Sequence, residues 1–596
     1  MVTSMDEESE ELDSVSELST STSMQSQELS SCTSMCTSER KSPVCSTSKN
    51  PLSKFQIQPC IDKAFHKIET YRDGGMLAFK ITNGILYMIA IDKQPFSMVK
   101  DDGFRKFLSI VAPLYTVPCR KTITKRLDEK YELLSSKIRT MLSKIDHLCL
   151  TTDIWTEPFN TRSYISITVH YINFKIMQLE NLSLGIKELE ESHDGNYISK
   201  IISEILDEWH IQINSVVAVI TDNASNIKKA VRDTFGRKRH IPCFAHTLNL
   251  VIQDAIATTP EFQAIVKKVK SIVTYFKRSV KATNALNELQ TSNLENDQNI
   301  LKLKQGCETH WNSLFYMIKR FIQLANLVNT VLLTLPRKKH DDIPEMTTHT
   351  DLQILKDICA ILRPVERVIM EISGELYVTC SKIIPIINCL IRTLEKLDIT
   401  HEISERFHKN VLLQLQNRFR GKDSNIETNS FLSISTLLDP RFKKLHFSSS
   451  LAVSTAISKI SQLMKNNQIE TQCNVEENIN ILRKEDLWNI HDELIASSSL
   501  NSDEPGGIPV ELRQFLNANV VSRSEDPFKI WQKLKDVYPM VYEVAMKYFV
   551  IVGTSVPSER LFSAAGIIIS MKRSRIKGKR ASQIIFLGSL PKRYWK

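Results

Sequence analysis

The run Val216-Val-Ala-Val-Ile-Thr-Asp222 is apolar until it ends on a carboxylate. A strand buried on both faces reads this way, continuous rather than alternating, because each side meets another element. Upstream, His147-Leu-Cys-Leu-Thr-Thr-Asp-Ile-Trp155 reads as a strand with Asp153 in its middle, Ser163 to Ile172 alternates in strand fashion, and Ile176 to Leu189 offers a third strand. Tyr197 to Trp209 then sets Ile198, Ile201, Ile202, Ile205 and Trp209 at the spacing of one helix face. After Asp222 come a short helix at Ser225 to Phe235, a short strand at His240 to Cys243 and a helix at Ala245 to Ile256.

The order is three strands, helix, strand, helix, strand, helix, which is the RNase H-like topology. In that topology the strands carrying Asp153 and Asp222 are neighbours. A catalytic Mg²⁺ takes octahedral oxygen coordination from one or two carboxylates, waters and phosphate oxygens. Two such ions, roughly 3.5 to 4 Å apart, clamp the attacking and leaving oxygens of an in-line phosphoryl displacement. A single Asp at a strand end serves as readily as a cap or turn former; the pair at these two places is what points to metal-assisted phosphoryl transfer.

With 596 residues the chain exceeds what one core organises, and several domains are expected. Hydrophobic content of 42% with 24% charged residues excludes a fibrous or wholly disordered protein. Its 12 cysteines lack a repeating spacing and the first residues show no basic segment followed by an apolar one, so a reducing compartment is expected. No apolar run approaches the roughly 20 residues that cross a bilayer, and no membrane partner is expected. The net charge of +10 is uneven: no Lys or Arg precedes Arg40, and no Asp or Glu follows Glu559. Lys572, Arg573, Arg575, Lys577, Lys579 and Arg580 crowd together beyond it, a pattern that suits phosphate backbones or a nuclear import receptor and equally a solvated helix surface.

Residues 1–52, rich in Ser, Thr, Asp and Glu, are expected to form a disordered acidic tail. Cys32, Cys36 and Cys45 fall within it, but a tetrahedral zinc site needs four ligands and the nearest histidine is His66, so no structural zinc is expected. Residues 53–144 read as a small helical domain, with Ala64, Ile68 and Tyr71 on one helix face and interruptions near Pro95 and at Pro113 to Pro118. Residues 145–258 hold the first part of the α/β core. From 259 to 525 the pattern is helical: Thr259-Pro260 supplies an N-cap and first-turn proline, and Phe262, Ile265, Val269, Ile272 and Phe276 step by three and four. Helices are also expected at Thr309 to Leu335, Leu352 to Ser373, Ile383 to Leu397 and Phe407 to Phe419. Polar breaks are expected at Pro336 to Thr350, Gly421 to Asn429, Asn466 to Cys473 and Ser497 to Gly507. Residues 526–596 form a last compact helical block.

The words around the acids carry a resemblance. LTTDIWT at Asp153, VITDNASNIKKAV at Asp222, IPCFAHTLNL from Ile241, THWNS from Thr309, TLLDPRFKKL from Thr436 and SVPSERLFSAAG from Ser555 resemble the hAT transposase superfamily. AIDKQPFSMVKDDGFRKFL from Ala90 and PLYTVPCRKTI from Pro113 resemble, within it, the zinc-finger BED-domain-containing proteins. The likeness spans about residues 55 to 596. It implies an α+β protein: an RNase H-like core interrupted by a large all-helical insertion, preceded by a small helical domain for DNA binding or dimerisation, and completed by a C-terminal dimerisation region.

The same resemblance implies that Asp153, Asp222 and Glu559 are the catalytic, metal-binding acids, the third separated from the others by the insertion. Read without it, Glu559 is a helix-surface residue beside Arg560. Cys243 and His246 match a C-x-x-H element expected to sit near phosphates, and Trp311 matches a tryptophan expected to stack on an unpaired base, where an indole contributes roughly 1 to 3 kcal/mol; each has a plain packing role as its alternative. Lys572, Arg573 and Arg575 join these as expected DNA contacts. Two departures stand out: His310 occupies the place where the family writes Arg, losing a permanent charge, and the BED finger that precedes the Phe55 domain in relatives is not in this sequence. The expectation is a nuclear, DNA-binding, self-associating transposase-like protein using two Mg²⁺ or Mn²⁺ ions and no small-molecule substrate. The alternative is a domesticated regulator that no longer cuts DNA.

Overall fold

The computed structural model describes residues 69–71, 74–157, 161–293, 300–306, 311–335, 343–374, 377–422, 424–479, 508–569, 576 and 578–595. The expected tail with its cysteines, Ala64, Ile68, His310, Lys572, Arg573, Arg575 and Lys577 lie outside the described residues. The chain divides into two compact units, one formed by Met1–Tyr131, Ser570–Arg573 and Pro591–Lys596, the other by Glu132–Ile569 and Ser574–Leu590.

In the first unit α1 (Met76–Ala90) buries Ile85, Leu86, Ile89 and Ala90. A 3₁₀ turn at Phe96–Lys100 and α2 (Asp102–Val111) follow, and α3 (Arg120–Leu142) has its first half here. The Thr82 and Tyr115 hydroxyls share a hydrogen bond of 2.8 Å, and Tyr87 meets Trp595 edge-on at 5.2 Å. The interruptions expected at Pro95 and at 113–118 are the gaps between these helices.

The second unit is built on a five-stranded mixed sheet in the order β3-β2-β1-β4-β5. β1 (Leu148–Thr156), β2 (Ser163–Asn173) and β3 (Gln178–Leu189) pair antiparallel, whereas β4 (Val216–Thr221) and β5 (His240–Pro242) add on parallel to β1. α4 (Gly195–Glu208) makes the crossover from β3 to β4, its first turn capped by the Asp194 carboxylate. α5 (Ser225–Phe235) and α6 (Phe244–Ala257) follow β4 and β5. The parallel register pairs Thr151 with Ile220. Asp153 and Asp222 each lie two residues beyond that last pair, at the same end of the sheet.

Among the described residues eight helices follow: α7 (Pro260–Arg278), α8 (Val280–Asn293), α9 (Trp311–Thr334), α10 (His349–Ile372), α11 (Ile383–Glu395), α12 (Glu402–Phe419), α13 (Ser430–Leu438) and α14 (Ser450–Ile479). Two expectations need correcting. The break expected at Asn466 to Cys473 is helical, since the stretch is polar but holds neither Gly nor Pro, and polarity alone does not end a helix. Thr259 stands at the N-cap of α7 with Pro260 in the first turn, but its hydroxyl donates to the Ala255 carbonyl at 2.9 Å instead of capping.

α15 (Val510–Asn517), α16 (Pro527–Leu534), α17 (Pro539–Phe549), α18 (Val556–Ile569) and α19 (Gly578–Ser589) close the unit. One continuous apolar core joins Cys149, Ala218, Ile220 and Ile241 of the sheet to α6, to the helices that follow it and to α17. The β3 edge would expose unpaired amides. α19 covers it: Ser582 Oγ accepts from the Ile186 amide at 3.1 Å and Ser589 Oγ from the Ser183 amide at 3.3 Å. Gly185 sits in the local β3 bulge at φ +102°, and a Cβ there would lie 2.2 Å from Ser582 Oγ, so glycine is required on both counts. Among the described residues no helix is long and apolar enough to cross a membrane.

Candidate active site

Asp153 is fixed by its strand. Asp222 follows β4 directly, and its Oδ1 accepts from the Ala224 amide at 3.2 Å as the chain turns toward α5. Glu559 arrives from far away in sequence, on the first turn of α18. That helix packs on β1 and β2. The Trp155 ring stacks between Tyr164 and Phe562, with centroids 6.1 and 5.8 Å away. Ser558 Oγ donates to Thr151 Oγ1 at 3.2 Å, two residues before Asp153 on the same face of β1.

The three carboxylates therefore share one neighbourhood, and electrostatics registers it. Burial, then the negative charge of Glu559, push the Asp153 carboxyl up to about 8, with Asp222 adding to the rise. The hydrogen bond that Asp153 Oδ1 accepts from the Ile154 amide, 2.8 Å, opposes the shift without cancelling it. Like charges converging where solvent is scarce favour the neutral acid unless a cation joins them. In this conformation no group of three or more His, Cys, Asp or Glu side chains among the described residues is close enough to hold a metal ion. The acids converge without closing into a ligand shell.

Beneath them lies a buried polar row. Ser166, opposite Asp153 on β2, Thr168, opposite Thr151, and His170 are each at most 2% exposed. Alternation of polar and apolar residues along β2 ordinarily marks a solvated face; here that polar face is buried. His170 Nε2 is 3.3 Å from Thr151 Oγ1, and burial pushes the imidazole down to about 3, so it stays neutral.

The other expected contacts are distributed differently. Cys243 is fully buried at the start of α6, where its sulfur accepts from the His246 amide at 3.5 Å and from the Ser555 amide at 3.3 Å. Burial, followed by the charge of Glu559, pushes the thiol up to about 11. Cys243 is thus a neutral thiol inside the protein that ties α6 to the segment carrying Glu559. The His246 side chain is half-buried nearby. Trp311 is only 3% exposed and packs beside Phe315 at 6.3 Å. In this conformation its indole is a core group, with no face open to a base. Sequence reasoning did not single out Thr151, Ser555 or Ser558. The Ser-x-Pro-Ser-Glu pattern, a hydroxyl residue and a proline opening a helix, was the available signal for the last two.

Comparison with known proteins places these residues in three matched regions. The ZBED1 RNase-like domain matches residues 151–243, which hold Asp153 and Asp222. The ZBED1 RNase-like helical domain matches 241–361, and the hAT family C-terminal dimerisation region matches 511–589, which holds Glu559. The fold and site thus define an α+β protein with an RNase-like sheet and an hAT dimerisation region. The proteins this chain resembles are hAT transposases and zinc-finger BED-domain-containing proteins.

Human zinc finger BED domain-containing protein 4 is 25% identical over 540 residues, which cover 87% of this chain and 44% of that protein. The putative AC transposase of Zea mays is 22% identical over 583 residues, 88% of this chain and 66% of its own length. The transposable element Hobo transposase of Drosophila melanogaster is 27% identical over 343 residues, 54% of this chain and 48% of its own. The chain spans about half the length of the BED-domain relatives it matches.

Proposed function

We propose that this chain is a nuclear, DNA-binding, self-associating protein whose RNase H-like core, interrupted by the helical segment 259–525, cleaves and joins DNA strands. The supporting observation is the convergence of Asp153, Asp222 and Glu559, with the Asp153 carboxyl raised by burial and then by the charges of the other two. Two Mg²⁺ or Mn²⁺ ions bound by these oxygens would supply the clamp on attacking and leaving phosphoryl oxygens. The donor set suits such hard cations, being all carboxylate. Asp153, neutral near pH 7 by itself, would have to lose its proton to serve as a ligand, which would couple metal uptake to pH. Ser558 and Thr151 hold the first turn of α18 against β1 and so keep Glu559 at the end of the sheet where the two aspartates lie. Self-association is supported by the matched dimerisation region, and nuclear DNA binding by the kinds of relatives together with the basic stretch from Lys572.

The decisive experiment is nicking of the DNA that flanks the gene, by purified chain in Mn²⁺ or Mg²⁺. Wild type is expected to nick, and Asp222→Ala to lose at least about a hundredfold in rate. Identical behaviour of the two proteins would sink the enzymatic reading. One observation favours a second reading, a domesticated DNA-binding regulator that does not cut: the Trp311 ring is closed off in the core. DNA binding without nicking, unaffected by Asp222→Ala, would select it.

A further inference from the structure

The chain from Val550 to Ser555, which leads from α17 into α18, is buried throughout and is not part of the sheet. Buried backbone amides need partners, and two of its amides find theirs outside the segment. The Ser555 amide has Cys243 Sγ; the Gly553 amide has Thr379 Oγ1, at 2.8 Å. The Gly553 carbonyl in turn accepts from the Phe244 amide at 3.1 Å.

Thr379 is fully buried in a short elbow, Tyr377–Ile383, between α10 and α11, where it precedes the 3₁₀ turn Cys380–Lys382. The same region grips the segment twice more. Ile383 and Ile372 pack so closely that a Cβ on Gly553 would lie 3.0 and 3.7 Å from their side-chain carbons. Arg560, next to Glu559, donates to the Ser373 carbonyl at 3.2 Å.

The elbow is itself held by the TLLDPRFKKL stretch, to which no role was assigned above. Ser381 Oγ donates to Asp439 Oδ2 at 2.6 Å, and Thr436 Oγ1 donates to the Ser381 carbonyl at 3.1 Å. Asp439 is locked in turn by Arg441, whose Nε and Nη2 reach it at 2.9 and 2.7 Å. A continuous set of contacts thus runs from the Asp439–Arg441 pair through the elbow to the residues just before Glu559.

We propose that the Tyr377–Ile383 elbow is a positioning element for the Glu559 carboxylate, acting through the Thr379 hydroxyl on the Gly553 amide. Its functional consequence rests on the metal-site reading above; its structural part does not. Thr379→Val keeps the shape and removes the acceptor, whereas Thr379→Ser keeps the acceptor. Hydrogen exchange of the full-length chain without metal is expected to quicken about tenfold in peptides spanning 551–559 of Thr379→Val, with β1 peptides unchanged. Mn²⁺ affinity, read from the spin-resonance signal of free Mn²⁺, is expected to weaken about tenfold in the same variant. Thr379→Ser should restore both.

Unchanged exchange in Thr379→Val overturns the proposal. Faster exchange with unchanged Mn²⁺ affinity also overturns it, since the segment would then move without consequence for Glu559. If Thr379→Val does not fold, Ser381→Ala decides, with a smaller quickening of exchange and a smaller loss of Mn²⁺ affinity expected, and no change in either counting against the elbow. Absence of Mn²⁺ binding in the wild type would instead refute the metal-site reading, and exchange alone would then report whether Thr379 holds the segment.

Discussion

Asp153 and Glu559 carry the same carboxylate, yet β1 and the first turn of α18 hold it by different means. β1 has a backbone ladder on each side, antiparallel to β2 and parallel to β4, so Asp153 is placed by repeated local geometry. The chain entering α18 has no ladder. Groups from four distant places steady it: the side chains of Thr379, Cys243 and Thr151 and the backbone carbonyl of Ser373. A ladder distributes the loss of one contact over many bonds; a set of single contacts does not. Remote substitutions should therefore disturb Glu559 far more than Asp153.

The largest expected effect tests that asymmetry at its far end. Asp439→Ala strips the partner from Arg441 in a fully buried pair, a change that costs roughly 3 to 5 kcal/mol. Denaturant unfolding should show that loss, and limited proteolysis of the surviving folded fraction should cut near 550–556 before it cuts β1. Equal protection of the two regions would remove the distinction drawn here. Next in size is Gly185→Ala at the edge strand, where positive φ and the Ser582 hydroxyl both resist a Cβ. About 1 to 3 kcal/mol of stability should be lost, with faster exchange in α19 peptides. An unaltered unfolding midpoint would mean that α19 is not seated on the β3 bulge.

The last test is a slope against pH. In the folded, metal-free chain Asp153 keeps its proton up to about 8, whereas an unfolded aspartate releases it near 3.8. The folded state therefore binds more protons across that window, and this group's contribution makes stability fall as pH rises from about 4 to 8. Asp153→Asn should flatten that slope, as read from urea midpoints at several pH values. His170 acts in the opposite direction: folded it stays neutral down to about 3, while unfolded it charges below 6.5, so its contribution is lost as pH falls through that range. A slope unchanged by Asp153→Asn would show that the Asp153 carboxyl is less buried, or farther from Glu559, in solution than in this fold.

Legibility in the sequence followed the same division. The strands from Leu148 to Pro242, and the helices between and after them, were readable because each carries its own periodicity. Asp153 and Asp222 came with them, one in the middle of a strand and the other at the end of one. Glu559 had no such signal: on a helix surface beside Arg560 it looks ordinary, and only resemblance assigned it a role. Cys243 and Trp311 were expected to meet DNA because their residue types and motifs allow it. Burial is a property of the packed chain, however, and the fold put both side chains inside.

By itself the sequence determined the five strands, their order and the two aspartates, because strand and helix periods are local and parallel neighbours follow from the crossover helix. Only the tertiary structure decided that α18 lies across β1 and β2, that the polar face of β2 is buried beneath it, and that a threonine nearly two hundred residues upstream supports the turn carrying the third acid. Contacts between residues so far apart leave no periodic trace in the chain. They appear only once the shared core has brought the helices and the sheet together.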